Sequence, residues 1–256
     1  MSDPCIQNWS AWAPGLPDRT DWQKPVDRDE LLDGLKGDEA PDVDWVPART
    51  RRRCSNLTRI ALHVGFDCCE NAGVDPSDVK TVFSTRHGEI TPTFGLLKSL
   101  ADDELISPMS FGNSVHNTPS SYFCILADNH HPSRTVSACR ETFQNGFMDA
   151  MGLRNTRPDH PVLLVHAHTP LPHPLDRFES ITPLSYGAAF LLSDVGDADR
   201  ISCSLEESVD GQTFRLPAAI AFLNWYLSGE QQTLYLPRSN SSTSWIWRRK
   251  RLNQWQ

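Results

Sequence analysis

The chain has 256 residues, 39% of them hydrophobic and 22% charged, with 24 Lys and Arg against 32 Asp and Glu. This suits one large or two small soluble domains with a sizeable core, and an acidic chain without a broad basic face is a poor candidate for binding nucleic acid. No apolar run reaches the ~18 residues that cross a bilayer, and the opening MSDPCIQNW has neither the basic nor the apolar region of a secretion signal, so a cytoplasmic protein without a transmembrane segment is expected.

Seven cysteines at irregular spacing, with no C-x-x-C pair, read as reduced thiols rather than a disulfide framework or a zinc site. Charge is unevenly placed. Residues 1–45 carry eleven Asp and Glu against four Lys and Arg. Residues 1–48 are therefore read as an acidic N-terminal extension, either a solvated segment or an arm for a basic partner. Residues 49–240 form the folded domain. Residues 241–256 read as a basic and aromatic tail, with Arg248, Arg249, Lys250 and Arg251 between tryptophans.

In chain order, Ser55 or Asn56 caps a helix whose Leu57, Ile60, Ala61 and Val64 recur at helical spacing and which stops at Asn71-Ala72-Gly73. VDPSD is a turn and VKTVFST a buried strand. A helix follows near 94–100. Thr118-Pro119 opens another, to about residue 127. RTVSA is a short strand and 142–153 a helix. PVLLVHAH, continuously apolar, is a central strand. YGAAFLLS and ISCSLEES are strands, and PAAIAFLNWYL is a late helix. Strands alternating with helices predict an α/β layered fold, its sheet covered on both faces.

Cys139 follows the strand RTVSA and precedes a helix, where a thiol can become a nucleophile. The competing reading is a small buried hydrophobe. His116, His130 and His131 are either bases or loop residues. His166 and His168 lie two apart on a strand without an evident third ligand, so neither a metal nor a cofactor is expected.

The ordered segments TRHGEI, ISPMSFGNSVHNTPSSYF, TVSACRETFQNGFMDA and VLLVHAHTPLP resemble the N-terminal half of β-ketoacyl synthases. NWSAWAPGL and ARTRRRCSNLTRIAL are similar to the short chain-length-factor type of aryl polyene and related fatty-acid or polyketide-like clusters. The resemblance implies a thiolase-like fold. It also implies a non-catalytic subunit that pairs with a complete β-ketoacyl-ACP synthase and shapes its acyl tunnel. No His follows His173, so the second half that carries the family's two histidines is mostly missing.

The resemblance also marks residues. The elbow is vestigial, with Cys139 at the nucleophile position in one register and Gln144, beside Phe143, in the other. Phe143, Phe147 and Met148 are the bulky residues able to reach a partner's acyl tunnel, or else they are core. Ser114, His116 and Asn117 match the loop at the dimer-facing helix. Arg51, Arg52 and Arg53 are either a solvated charge run or a contact for an acyl carrier protein. The alternatives are a Cys139-dependent acyltransferase or hydrolase with His116 or His131 as base, or a homodimeric scaffold without an acyl ligand.

Overall fold

The computed structural model describes residues 3–24, 37–156, 159–179, 183–194, 199–207, 216–238 and 241–250. In chain order the elements are β1 (Cys5–Trp12), α1 (Arg19–Gln23), α2 (Ala48–Arg51), α3 (Asn56–Ala72), β2 (Lys80–Ser84), α4 (Ile90–Ala101), α5 (Pro108–Gly112), α6 (Thr118–Ala127), β3 (Ser133–Val136) and α7 (Thr142–Thr156). There follow β4 (Val162–His168), β5 (Tyr186–Ser193), β6 (Arg200–Glu207), α8 (Ala218–Ser228), β7 (Thr233–Pro237) and β8 (Thr243–Lys250). All eight strands belong to one mixed sheet in the order β3-β2-β4-β5-β1-β6-β8-β7. β2 runs parallel to both β3 and β4, and every other pairing is antiparallel.

Helices cover both faces, as the alternation of elements predicts. On one face α3 is capped by Ser55, whose hydroxyl accepts from the Thr58 N–H. It buries Ile60, Ala61 and Val64 with Phe123, Leu163 and Leu191. On the other face α7 and α8 pack Phe143, Phe147 and Phe222 against Phe190 and Trp247. Two glycines set the helix-to-sheet distance. A Cβ on Gly187 of β5 would lie 2.5 Å from Ile60 Cγ2, and one on Gly146 of α7 would lie 2.7 Å from Ser84 Cβ. Only glycine lets the helices come this close.

Two expected boundaries are corrected. Cys5–Trp12 is not in an extension: β1 sits between β5 and β6 with Cys5, Ile6, Trp9 and Trp12 buried. Residues 25–36 of the acidic stretch lie outside the described residues. Nor are residues 243–250 a tail, because β8 pairs along its length with β6 and with β7. Its basic side chains are consumed internally. Arg248 pairs with Glu206, Arg249 donates to the carbonyls of Trp225 and Tyr226 at the end of α8, and Lys250 pairs with Asp3. Arg251 lies outside the described residues. Among the described residues the β6-β8-β7 unit joins the rest of the sheet at a single paired position, Cys5 with Arg200. Sheet hydrogen bonding alone would hold it weakly; its tryptophans hold it by packing.

Trp247 is fully buried, 5.7 Å from the Phe222 ring and 6.2 Å from those of Phe143 and Phe147. Trp247→Ala is expected to destabilise the chain by roughly 3–5 kcal/mol in denaturant unfolding. Leu205→Ala, on the same unit but half exposed, should stay within about 1 kcal/mol. Equal effects of the two would mean that the C-terminal strand is not part of the core.

Candidate functional site

β3 lies at one end of the sheet, and the chain turns back from it into α7 through a short 3-10 turn, Cys139–Glu141. Cys139 takes a left-handed backbone conformation, φ 51°, unusual for a side-chain-bearing residue. Local hydrogen bonds impose it. Thr142 Oγ1 accepts from the Ala138 N–H at 3.0 Å and donates to the Cys139 carbonyl at 2.7 Å. Ser137 Oγ donates to the Arg86 carbonyl at 2.9 Å, fixing the strand end to the loop after β2. Glu141 ties the elbow to the C-terminal unit: its carboxylate accepts from Arg238 Nε at 2.9 Å and from Trp245 Nε1 at 3.0 Å.

The backbone bend falls at Cys139. Gln144 is inside α7, buried, with its Oε1 lacking a hydrogen-bond partner. The Cys139 thiol is exposed. Among the described residues no histidine hydrogen-bonds it. His116 Nε2 lies 3.2 Å from the Thr85 carbonyl. His131 precedes β3, at the strand's opposite end. Activating a thiol needs an adjacent base or an equivalent perturbation.

His166 and His168 are core residues. His166 Nδ1 lies 2.9 Å from Ser84 Oγ and its Nε2 3.3 Å from the Tyr186 hydroxyl, and burial pushes its pKa down to about 3. His168 faces Glu179 at 3.9 Å and is also pushed down to about 3, chiefly by burial and then by neighbouring His166, His87 and Arg86. Both rings are therefore neutral in the folded chain.

Phe143 and Phe147 are 2% and 0% exposed and belong to this chain's own core, so neither reaches outward as the tunnel reading expected. Helical spacing put the three residues on α7 but could not say which face the chain itself would cover. Met148 is at the surface, 39% exposed. Ser114, His116 and Asn117 lie together in the loop between α5 and α6. Asn117, rather than Thr118, is the N-cap residue, and its Nδ2 donates to Ser121 Oγ. The arginine run divides. Arg51 pairs with Asp44, and Arg52 Nε donates to the Ala48 carbonyl. Arg53 lines a cleft of about 620 Å³ with Ser55, Glu89 and the segment 169–173. Glu89 is buried there and accepts from Ser55 and Thr58, and burial raises its pKa despite both hydrogen bonds.

The outer side of β3 has no strand against it among the described residues. α6 and α7 flank it through Ser120 with Thr135 at 3.2 Å and Asp149 with Arg134 at 2.6 Å. Each helix exposes an apolar residue, Ile125 at 73% and Met148. An open strand edge is a docking geometry for another sheet.

Residues 22–248 match the model of the β-ketoacyl synthase N-terminal domain. The chain belongs to the β-ketoacyl synthase family. The solved complex of the ketosynthase ApeO with its chain length factor ApeC from Xenorhabdus doucetiae contains a similar chain, 27% identical, with a TM-score of 0.78. The similarity covers 97% of this chain and 100% of that one. The ishigamide ketosynthase/chain length factor is 15% identical at a TM-score of 0.61, over 81% of this chain and 68% of that one. A β-ketoacyl synthase from Burkholderia phymatum is 13% identical at 0.62, over 90% and 71%. No curated protein matches the chain. The sheet with helices on both faces is thus the thiolase-like ketosynthase fold. Among the described residues no helix is long and apolar enough to cross a membrane.

The buried histidines give this ketosynthase-family chain a signed pH dependence. Below about pH 6.5 the unfolded chain takes up protons on His166 and His168, while the folded chain resists until about pH 3. The stability they contribute is complete above pH 6.5 and is lost as pH falls toward 3. Denaturant stability is expected to drop between pH 7 and pH 5. His168→Gln should flatten that slope, by at most about 1.4 kcal/mol per pH unit. A profile that His168→Gln leaves unchanged would show that this ring takes up its proton equally in the folded and unfolded chain.

Proposed function

We propose that this chain is a non-catalytic, chain-length-factor-type subunit that pairs with a complete β-ketoacyl-ACP synthase and shapes its acyl tunnel. The elongation served is of the aryl polyene or a related fatty-acid-like kind, in the cytoplasm, with acyl groups on a carrier protein. The observation that carries the reading is the open β3 edge flanked by α6 and α7, next to an elbow whose thiol no histidine hydrogen-bonds among the described residues. Support comes from the similar chain in the ApeO–ApeC complex. That chain is matched over its entire length by 97% of this one, so the two are nearly equal in size.

In this reading the partner's sheet extends β3, and backbone hydrogen bonds give affinity while the flanking apolar side chains give register. The partner supplies the acyl-accepting thiol and the histidines that activate the extender unit. Met148, not the buried phenylalanines, is the α7 residue that meets the tunnel. Arg52 and Arg53, both exposed, are the members of the basic run placed for an acidic carrier protein.

Co-expression with a neighbouring ketosynthase should yield a 1:1 complex by light scattering. Ile125→Asp and Met148→Asp should weaken it at least tenfold, since a charge at a desolvated contact costs more than about 1.4 kcal/mol. Cys139→Ala should leave product formation nearly unchanged, whereas loss of the partner's thiol should abolish it. A stable monomer that ignores the ketosynthase overturns the pairing. A homodimer indifferent to it favours the scaffold, and a loss of ~100-fold on Cys139→Ala restores the chain as an enzyme.

A further inference from the structure

At the other end of the same three parallel strands, three side chains converge that the elbow does not use. Asp78, His131 and His160 each stand two residues before a strand, β2, β3 and β4 respectively. β2 lies between the other two, so a histidine from each side reaches one carboxylate. His131 Nε2 is 3.3 Å and His160 Nδ1 3.0 Å from the same oxygen, Asp78 Oδ1. The two imidazole centroids are 4.3 Å apart, and one ligand atom from each of the three residues fits within a 4.8 Å span.

The local sequence preorganises this. Both histidines precede proline, His131-Pro132 and His160-Pro161, and a residue before proline is held extended. The two proline carbonyls accept from the Thr81 and Lys80 N–H groups, each at 3.0 Å, anchoring the His-Pro pairs to β2. A plain ion pair or hydrogen bond accounts poorly for the result. His160 Nδ1 is buried and, although 3.0 Å from the carboxylate oxygen, has no hydrogen bond of acceptable geometry.

We propose that Asp78, His131 and His160 bind a divalent first-row transition ion, zinc being the probe of choice. Two imidazoles and a carboxylate form a donor set suited to such ions. With bonds of about 2.0–2.1 Å, tetrahedral ligand atoms sit about 3.3 Å apart, the scale of the two separations from Asp78. Three protein ligands leave a position for water or an outside group. Bound there, the ion cross-links the starts of β2, β3 and β4 and stiffens the open edge strand from its far end. This does not depend on the proposed pairing.

The test is calorimetric titration of the untagged full-length chain with zinc chloride, with melting temperature measured alongside. One equivalent is expected to bind and to raise the melting temperature. His131→Gln and His160→Gln should each weaken binding at least tenfold and abolish the rise, while His130→Gln, an exposed neighbour, should change neither. Absence of stoichiometric binding would overturn the proposal. So would binding that survives both substitutions, or binding lost instead on Cys139→Ser.

Discussion

The packing of Phe143 and Phe147 against Phe222 and Trp247 is the contact on which the rest of the chain depends. A central sheet is stable only when both faces are covered. α3 and α6 close one face. On the other, α7 needs a second layer, and α8 with the β6-β8-β7 unit provides it. Because that unit meets the remaining sheet at one paired position among the described residues, these aromatic rings, together with the Glu141 bonds to Arg238 and Trp245, hold it in place. A chain of this size thereby covers that face of its core with a three-stranded unit and one helix.

The same closure shapes the elbow. Glu141 follows Cys139 by two residues, so the C-terminal unit fixes the turn that presents the thiol. The two β4 histidines are buried as neutral rings beside Tyr186. What stays open is the β3 edge. Under the proposed pairing, rigidity at the elbow and exposure at the edge become one feature: a preformed surface whose chemistry the partner performs.

Much of this is legible in the residues. α3, β2, β4, β5 and α8 follow from apolar periodicity and turn composition, because each is buried enough for pattern to report packing. β1 is not, since CIQNWSAW mixes Gln, Asn and Ser into a strand buried along nearly its whole length. β8 is masked by its Arg-Arg-Lys run, which reads as solvated until Glu206, Asp3 and the end of α8 are seen to take the charges. The spacing from Asp149 points to Gln144 at the elbow and the strand end points to Cys139, because a 3-10 turn such as Cys139–Glu141 cannot be counted from sequence. Asp78, His131 and His160 meet only through the register of parallel strands, which no local motif encodes.

Hydrogen–deuterium exchange along β3, with and without a co-encoded ketosynthase, asks most directly whether this edge is where a second chain docks. Amides at 134–136 should become strongly protected on complex formation, while those of β7, the edge at the other end of the sheet, should be unchanged. Protection confined to β7, or none at either edge in a complex that does form, would contradict docking through β3.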